Sequence, residues 1–147
     1  MVVIGMRLGC NVLSAITNRG RLNFRVFRGR FVTPVYLDFL KRLVKQAGRK
    51  VFLIVDGHPV HKAATVKRWL EQNAAHIRQF LLPAYSPELN PDEYLNHDVK
   101  SNAVGRRRAA DVHELVDNVR GYLRGTQRQS QIVRNYFHAE PVRYAAE

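Results

Sequence analysis

Residues 51–56, Val-Phe-Leu-Ile-Val-Asp, constrain this chain more than any other stretch. Five apolar residues in a row are too few for a helix of ordinary length. With helical patterns on both sides they read as a parallel strand buried on both faces. That strand ends on a carboxylate, Asp56, and the carboxyl ends of parallel strands are where α/β folds place their chemistry. The bare residues leave a second reading open, because Asp56 also starts an Asp-Gly turn, a favoured turn pair.

A second segment, YSPELNPDE at 85–93, delivers another carboxylate, Glu93, 37 positions after Asp56. Asn90, Pro91, Asp92 and Glu93 fit the N-cap and first three positions of a helix, with Glu93 closing a capping box. Asp92 is expected to be a charge favourable to the helix dipole. The capping reading and a metal-ligand reading of Glu93 are compatible, since a tightly capped helix fixes a side chain rigidly.

The elements around these segments follow from periodicity and turn chemistry. Residues 9–17 and 21–29 read as a β-hairpin around the turn at 18–20. Its second strand alternates Leu22, Phe24 and Val26 with Arg21, Asn23 and Arg25. A helix over 34–47 starts at Thr33–Pro34, buries Leu37, Leu40, Val44 and Ala47, and ends at Gly48. A helix over 62–74 and a strand over 77–83 follow. A further helix runs from Asn90 or Pro91 to Val104. Asp111 and Glu114 box a helix to Leu123. The last helix, 129–138, places Ile132, Val133, Tyr136 and Phe137 on its apolar side.

Charge indicates the partner. The net charge of the 147 residues is +12, and a basic field draws polyanions. Residues 1–50 hold 11 Lys/Arg and one acid, residues 51–100 five against six, and residues 101–147 eight against five. The acids thus gather where the two segments lie, and basic segments flank them. Arg21, Arg25, Arg28 and Arg30 on the hairpin, and the run Arg106–Arg107–Arg108, are candidates for gripping a nucleic-acid backbone. Each set also reads as an ordinary solvated face. His58 and His61 leave two readings open, a metal pair or loop and capping residues. Cys10 is the only cysteine, which excludes an internal disulfide and points to a reducing compartment. No apolar run reaches the length of a membrane span, and the N-terminus does not read as a signal peptide.

Together the two segments resemble the DDE transposase/integrase superfamily, in particular bacterial insertion-sequence transposases related to mariner elements. Asp56 matches the family's second carboxylate and His61 the histidine five residues later. Tyr85, Ser86, Pro87, Leu89, Asn90, Pro91 and Glu93 match its Y-S-P-x-L-N-P-x-E block. Lys100 matches a basic residue seven positions on. Relatives often carry Trp where this chain has Asn96.

The resemblance implies an RNase H-like α/β domain, a mixed sheet flanked by helices. It implies two Mg²⁺ (or Mn²⁺) ions, held here by Asp56 and Glu93, and DNA partners in the form of terminal inverted repeats and target DNA. It adds His61, Lys62 and Lys100 to the candidate DNA contacts. It allows a homodimer and implies a cytoplasmic, nucleoid-associated protein without membrane or small-molecule partners. The family's first carboxylate has no match, because no Asp or Glu precedes Asp38. The expectation is therefore one N-terminally truncated catalytic domain that lacks its first strand and is inactive by itself. Three outcomes are open for the gap. The 51–55 strand pairs with the hairpin, residues 2–5 slide in, or a second chain fills it. A non-catalytic DNA-binding remnant and an RNase H-type nuclease are the alternatives.

Overall fold

The computed structural model describes residues 2–7, 9–105 and 109–146, with the backbone alone for 2–7. Five strands form one sheet: β1 (Val2–Arg7), β2 (Asn11–Ile16), β3 (Leu22–Phe27), β4 (Val51–Val55) and β5 (Ile77–Leu81), in the order β3-β2-β1-β4-β5. The hairpin and both later strands lie where periodicity predicts them.

The expected gap is not there. β1 pairs antiparallel with β2 from Val2↔Ile16 to Arg7↔Asn11, and parallel with β4 at Val2↔Ile54 and Val3↔Val55. This is the second of the three open arrangements, and it corrects the expectation of a missing strand. The physical reason is the cost of unpaired strand backbone at the centre of a buried sheet. The six residues of β1 include no acid.

Helices cover both faces. On one side lie α1 (Thr33–Ala47) and α2 (Ala64–Gln72), packed on Leu13, Ala15, Leu53, Val55 and Ile77. On the other lie α3 (Asp92–Val99), α4 (Val112–Gln127) and α5 (Ser130–Asn135), packed on Val12, Ile16, Leu22 and Val26. β2 is therefore buried on both faces. β4 is not: Leu53 is fully buried but Phe52 is half exposed, because α3–α5 sit over the β1–β3 half of the sheet.

α1 buries Tyr36, Phe39, Leu40 and Leu43 rather than the predicted stripe, shared only at Leu40. Its N-cap is Val32, not Thr33, with no side-chain cap. Gly48 ends it in the left-handed conformation, φ 68°. α4 buries Val116, Val119, Leu123 and Thr126 at helical spacing and runs one turn beyond the predicted end. Asp111 caps it, accepting from the Glu114 N–H at 2.8 Å. The last helix is shorter than predicted, ending at Asn135; its Ile132 faces outward, while Val133 and, just past its end, Tyr136 and Phe137 are buried. None of the described helices is long and apolar enough to cross a membrane.

Candidate active site

Asp56 sits one residue past the carboxyl end of β4, and two donors hold it through three contacts. Its Oδ1 accepts from the His58 backbone N–H at 3.0 Å. His61 Nδ1 lies 3.1 Å from the same oxygen and 3.0 Å from the Asp56 carbonyl oxygen. Both neighbours are acceptors, so Nδ1 carries the proton. The His61 hydrogen bond, with the His58 N–H in support, outweighs partial burial and holds the Asp56 carboxyl below its usual range. Burial lowers the His58 imidazole, with the neighbouring His61 in the same direction.

His61 itself is buried, 1% exposed, with no partner on Nε2 among the described residues. It braces the carboxylate from behind and does not reach a DNA phosphate at the surface. Behind it, Gln79 Nε2 donates to the His61 carbonyl at 2.9 Å, and the Tyr36 hydroxyl donates to Gln79 Oε1 at 2.6 Å. The turn that follows β4 is thus anchored to α1 and β5.

Glu93 arrives from the other segment. Pro87–Leu89 form a short 3₁₀ turn, and the Asn90 side chain then accepts from the Asp92 N–H at 3.1 Å, as an N-cap does. The Asn90 N–H donates to the Pro87 carbonyl at 3.0 Å, so Glu93 does not close a capping box. Its carboxylate is left to the cleft and bonds the Asn96 side chain. Burial raises the Glu93 carboxyl. The Asp56 charge pushes the same way, while Asn96 and Lys100 oppose it.

The two carboxylates line one cleft of about 440 Å³ together with Lys62, Tyr85, Ser86 and Asn90. Tyr85, on its lip, is fully exposed and holds a left-handed backbone, φ 56°, rare for an aromatic residue. A second cleft of about 590 Å³ opens on the other side of Asp56, walled by Phe27, Phe31, His58 and Arg30.

The remaining candidates scatter. Arg21 and Arg28 are exposed on the hairpin. Arg25 bonds Asp38 at 3.0 Å. Lys100, exposed at the end of α3, acts on Glu93 through its charge. Arg106, Arg107 and Arg108 lie outside the described residues.

Sequence reasoning missed two partners of the site. One is Asn96, whose amide holds Glu93. Its signal was the polar residue standing where relatives often carry Trp. The other is Ser14, whose hydroxyl donates to Asp92 Oδ2 at 2.6 Å. Asp92 is completely buried, and burial raises its carboxyl well above the usual range against the Ser14 bond. It is not the solvated dipole charge the helix start predicts. Instead it pins the first turn of α3, and so Glu93, to the sheet.

No Lys or Arg nitrogen forms an ion pair with Asp56 or Glu93 among the described residues. Two acids of like charge in a partly buried cleft favour a cation between them. Their oxygen donors fit Mg²⁺, which is held by one or two carboxylates with water and substrate phosphates completing its shell. No group of three or more metal-ligating side chains occurs among the described residues.

The sequence profile of the DDE superfamily endonucleases matches residues 3–116, more than half of the chain. The chain belongs to the DDE superfamily endonucleases. The Insertion element IS630 uncharacterized 39 kDa protein of Shigella sonnei is 26% identical over 93 residues, which is 62% of this chain and 27% of that protein. The chain thus spans about a quarter of that relative.

The catalytic domain of Mos1 mariner transposase superposes with a TM-score of 0.67 at 15% identity, over 99% of this chain and 81% of that one. The same domain with raltegravir and Mn gives 0.66 at 15%, over 99% and 82%. The catalytic core of BIV integrase gives 0.58 at 14% identity, over 80% and 78%. The fold of this family member is RNase H-like.

Proposed function

We propose that the chain is the catalytic part of an insertion-element transposase, a metal-dependent DNA endonuclease and strand-transfer enzyme. The observation that carries this reading is the meeting of Asp56 and Glu93 in one cleft from segments 37 positions apart. Mg²⁺ or Mn²⁺, two ions in the full reaction, would be held by these carboxylates and would supply an activated water and charge neutralisation at the phosphate.

The chain's own residues prepare the site. His61 and the His58 N–H keep Asp56 ionised and aimed. Asn96 and the Ser14–Asp92 bond fix Glu93. Lys62, on the cleft wall, favours a phosphate beside them. With two carboxylates and no acid on β1, the metal affinity of this arrangement is low, and so is the expected activity of the chain alone. DNA is the substrate in this reading, as terminal repeats and target, and the cytoplasm is where the enzyme meets it.

The test is metal-dependent nicking of supercoiled DNA carrying the element's ends. Slow nicking in Mn²⁺ is expected, abolished in Asp56→Ala while DNA binding persists. Equal nicking by the wild type and Asp56→Ala would refute the assignment. Unimpaired DNA binding with no nicking under any metal would favour the non-catalytic DNA-binding reading.

A further inference from the structure

The carboxylate cleft is not the only polar concavity. A cleft of about 380 Å³ wraps the free edge of the sheet at β3 and shares no lining residue with the two clefts at Asp56. Arg25 comes from β3, Arg42 and Gln46 from α1, and Arg120, Arg124 and Gln127 from α4. The helices lie on opposite faces of the sheet, so four guanidiniums converge from three elements around one edge.

The acids nearby do not balance them. Asp38 receives Arg25 at 3.0 Å and Arg42 at 3.5 Å, and Asp117 stands 4.0 Å from Arg120. Arg124 has no acid partner among the described residues. Two carboxylates against four guanidiniums leave a net of two positive charges. None of Arg42, Arg120 and Arg124 stood out in the sequence. They are spread over 82 positions and meet only because α1 and α4 flank the same strand.

We propose that this edge cleft is a second DNA-backbone site, gripping duplex phosphates away from the carboxylates. The guanidinium fork matches phosphate oxygens, and a neutral amide such as Gln46 is a usual companion in phosphate and sugar contacts, while the Gln127 amide donates to the Leu22 carbonyl at 2.8 Å and ties α4 to the edge strand. Four cations on three elements span more than one phosphate. An acidic patch on a second copy is a poorer occupant, because two chains of charge +12 repel.

β3 lies three strand spacings from β4, roughly 14 Å. The phosphate held here is therefore not the one at Asp56. A single duplex can still reach both, since one helical turn spans roughly 34 Å. The site sets grip on the DNA rather than the rate of chemistry. It rests on DNA being the partner, as proposed above, but not on the carboxylates.

The experiment is binding of the full chain to a fluorescent duplex of arbitrary sequence, about two turns long, between about 50 and 200 mM salt. The variants are Arg124→Gln and the pair Arg42→Gln/Arg124→Gln. Both residues are exposed, and Arg42 loses only a surface ion pair. The slope of log K against log salt is expected to flatten by about 0.9 for the single variant and about 1.8 for the pair. The control is Lys67→Gln/Arg68→Gln on exposed positions of α2, with the same change in charge, and its slope is expected to stay at the wild-type value.

Three results would overturn the site. One is a wild-type slope in the cleft variants. Another is an equal loss in the control, which means diffuse attraction. The last is intact binding with a larger mass by sedimentation, which means that the arginines only guard an edge strand against pairing. Nicking that persists at the wild-type rate in Asp56→Ala bears on the carboxylates alone, so the two readings fail separately.

Discussion

Asp92→Asn tests the buried carboxyl that seats the Glu93 helix. Asp92 has no exposed surface, accepts one hydrogen bond from Ser14 at 2.6 Å, and leaves Oδ1 without a partner. Its native pKa is raised, chiefly by burial, above the ordinary value of 3.8. Between that value and the raised native one, the folded protein keeps a proton that the unfolded chain has released. The native state then binds one proton more, and stability falls as pH rises, by about 1.4 kcal/mol per pH unit. Below 3.8 both states are protonated and no penalty exists. Above the native pKa the loss is complete and levels off.

Asparagine keeps an acceptor for Ser14 and carries no charge, so the variant lacks this slope. Thermal melts of wild type and Asp92→Asn across acid to neutral pH should therefore diverge. The variant gains on the wild type as pH rises, by roughly 2–4 °C for each kcal/mol in a chain of this size. Ser14→Ala, which strips the last partner from a buried carboxyl, should cost about 1–3 kcal/mol. Parallel melting curves for wild type and Asp92→Asn over the whole range would refute the reasoning.

Gly20→Ala should destabilise the chain by about 1–3 kcal/mol in urea unfolding. Gly20 holds φ +91° in the β2–β3 turn, and an added Cβ would stand 2.5 Å from the Ser130 carbonyl oxygen. Ile4→Asp places an acid on β1 one step beyond the Val3↔Val55 pairing, in register beside Asp56. It should raise Mn²⁺-dependent nicking by at least about tenfold, 1.4 kcal/mol of barrier; an unchanged rate in a folded variant would count against a missing third ligand.

Much of this protein can be read locally. The apolar run 51–55 becomes a strand because nothing in it interrupts a buried ladder, and Asp56 ends it. The Asn90–Pro91 start of a helix is decided by an acceptor for a free N–H and a ring already at helical φ. The Asn-Arg-Gly turn, Gly48 at the end of α1 and the Asp111 cap follow from the same short-range chemistry, and the resemblance carried by the 85–93 block pointed to the fold. What required the tertiary structure was every choice among locally equivalent options. On α1, Leu37 and Phe39 both fit a 3.6-residue stripe, and the sheet beneath decided for Phe39. Val2–Arg7 carry no strong strand signal by themselves, but a vacant central place in a sheet makes pairing there favourable. Asp92 and Glu93 are adjacent acids on one helix turn, yet packing against Ser14 buries the first and the cleft receives the second. The arginines of the β3 edge, 82 positions apart at their extremes in α1 and α4, have no relation until two helices close on one strand. Hydrogen bonds and dihedral preferences act over a few residues and are written in the sequence in order. Burial and charge act through space, and they are assigned only when distant segments meet.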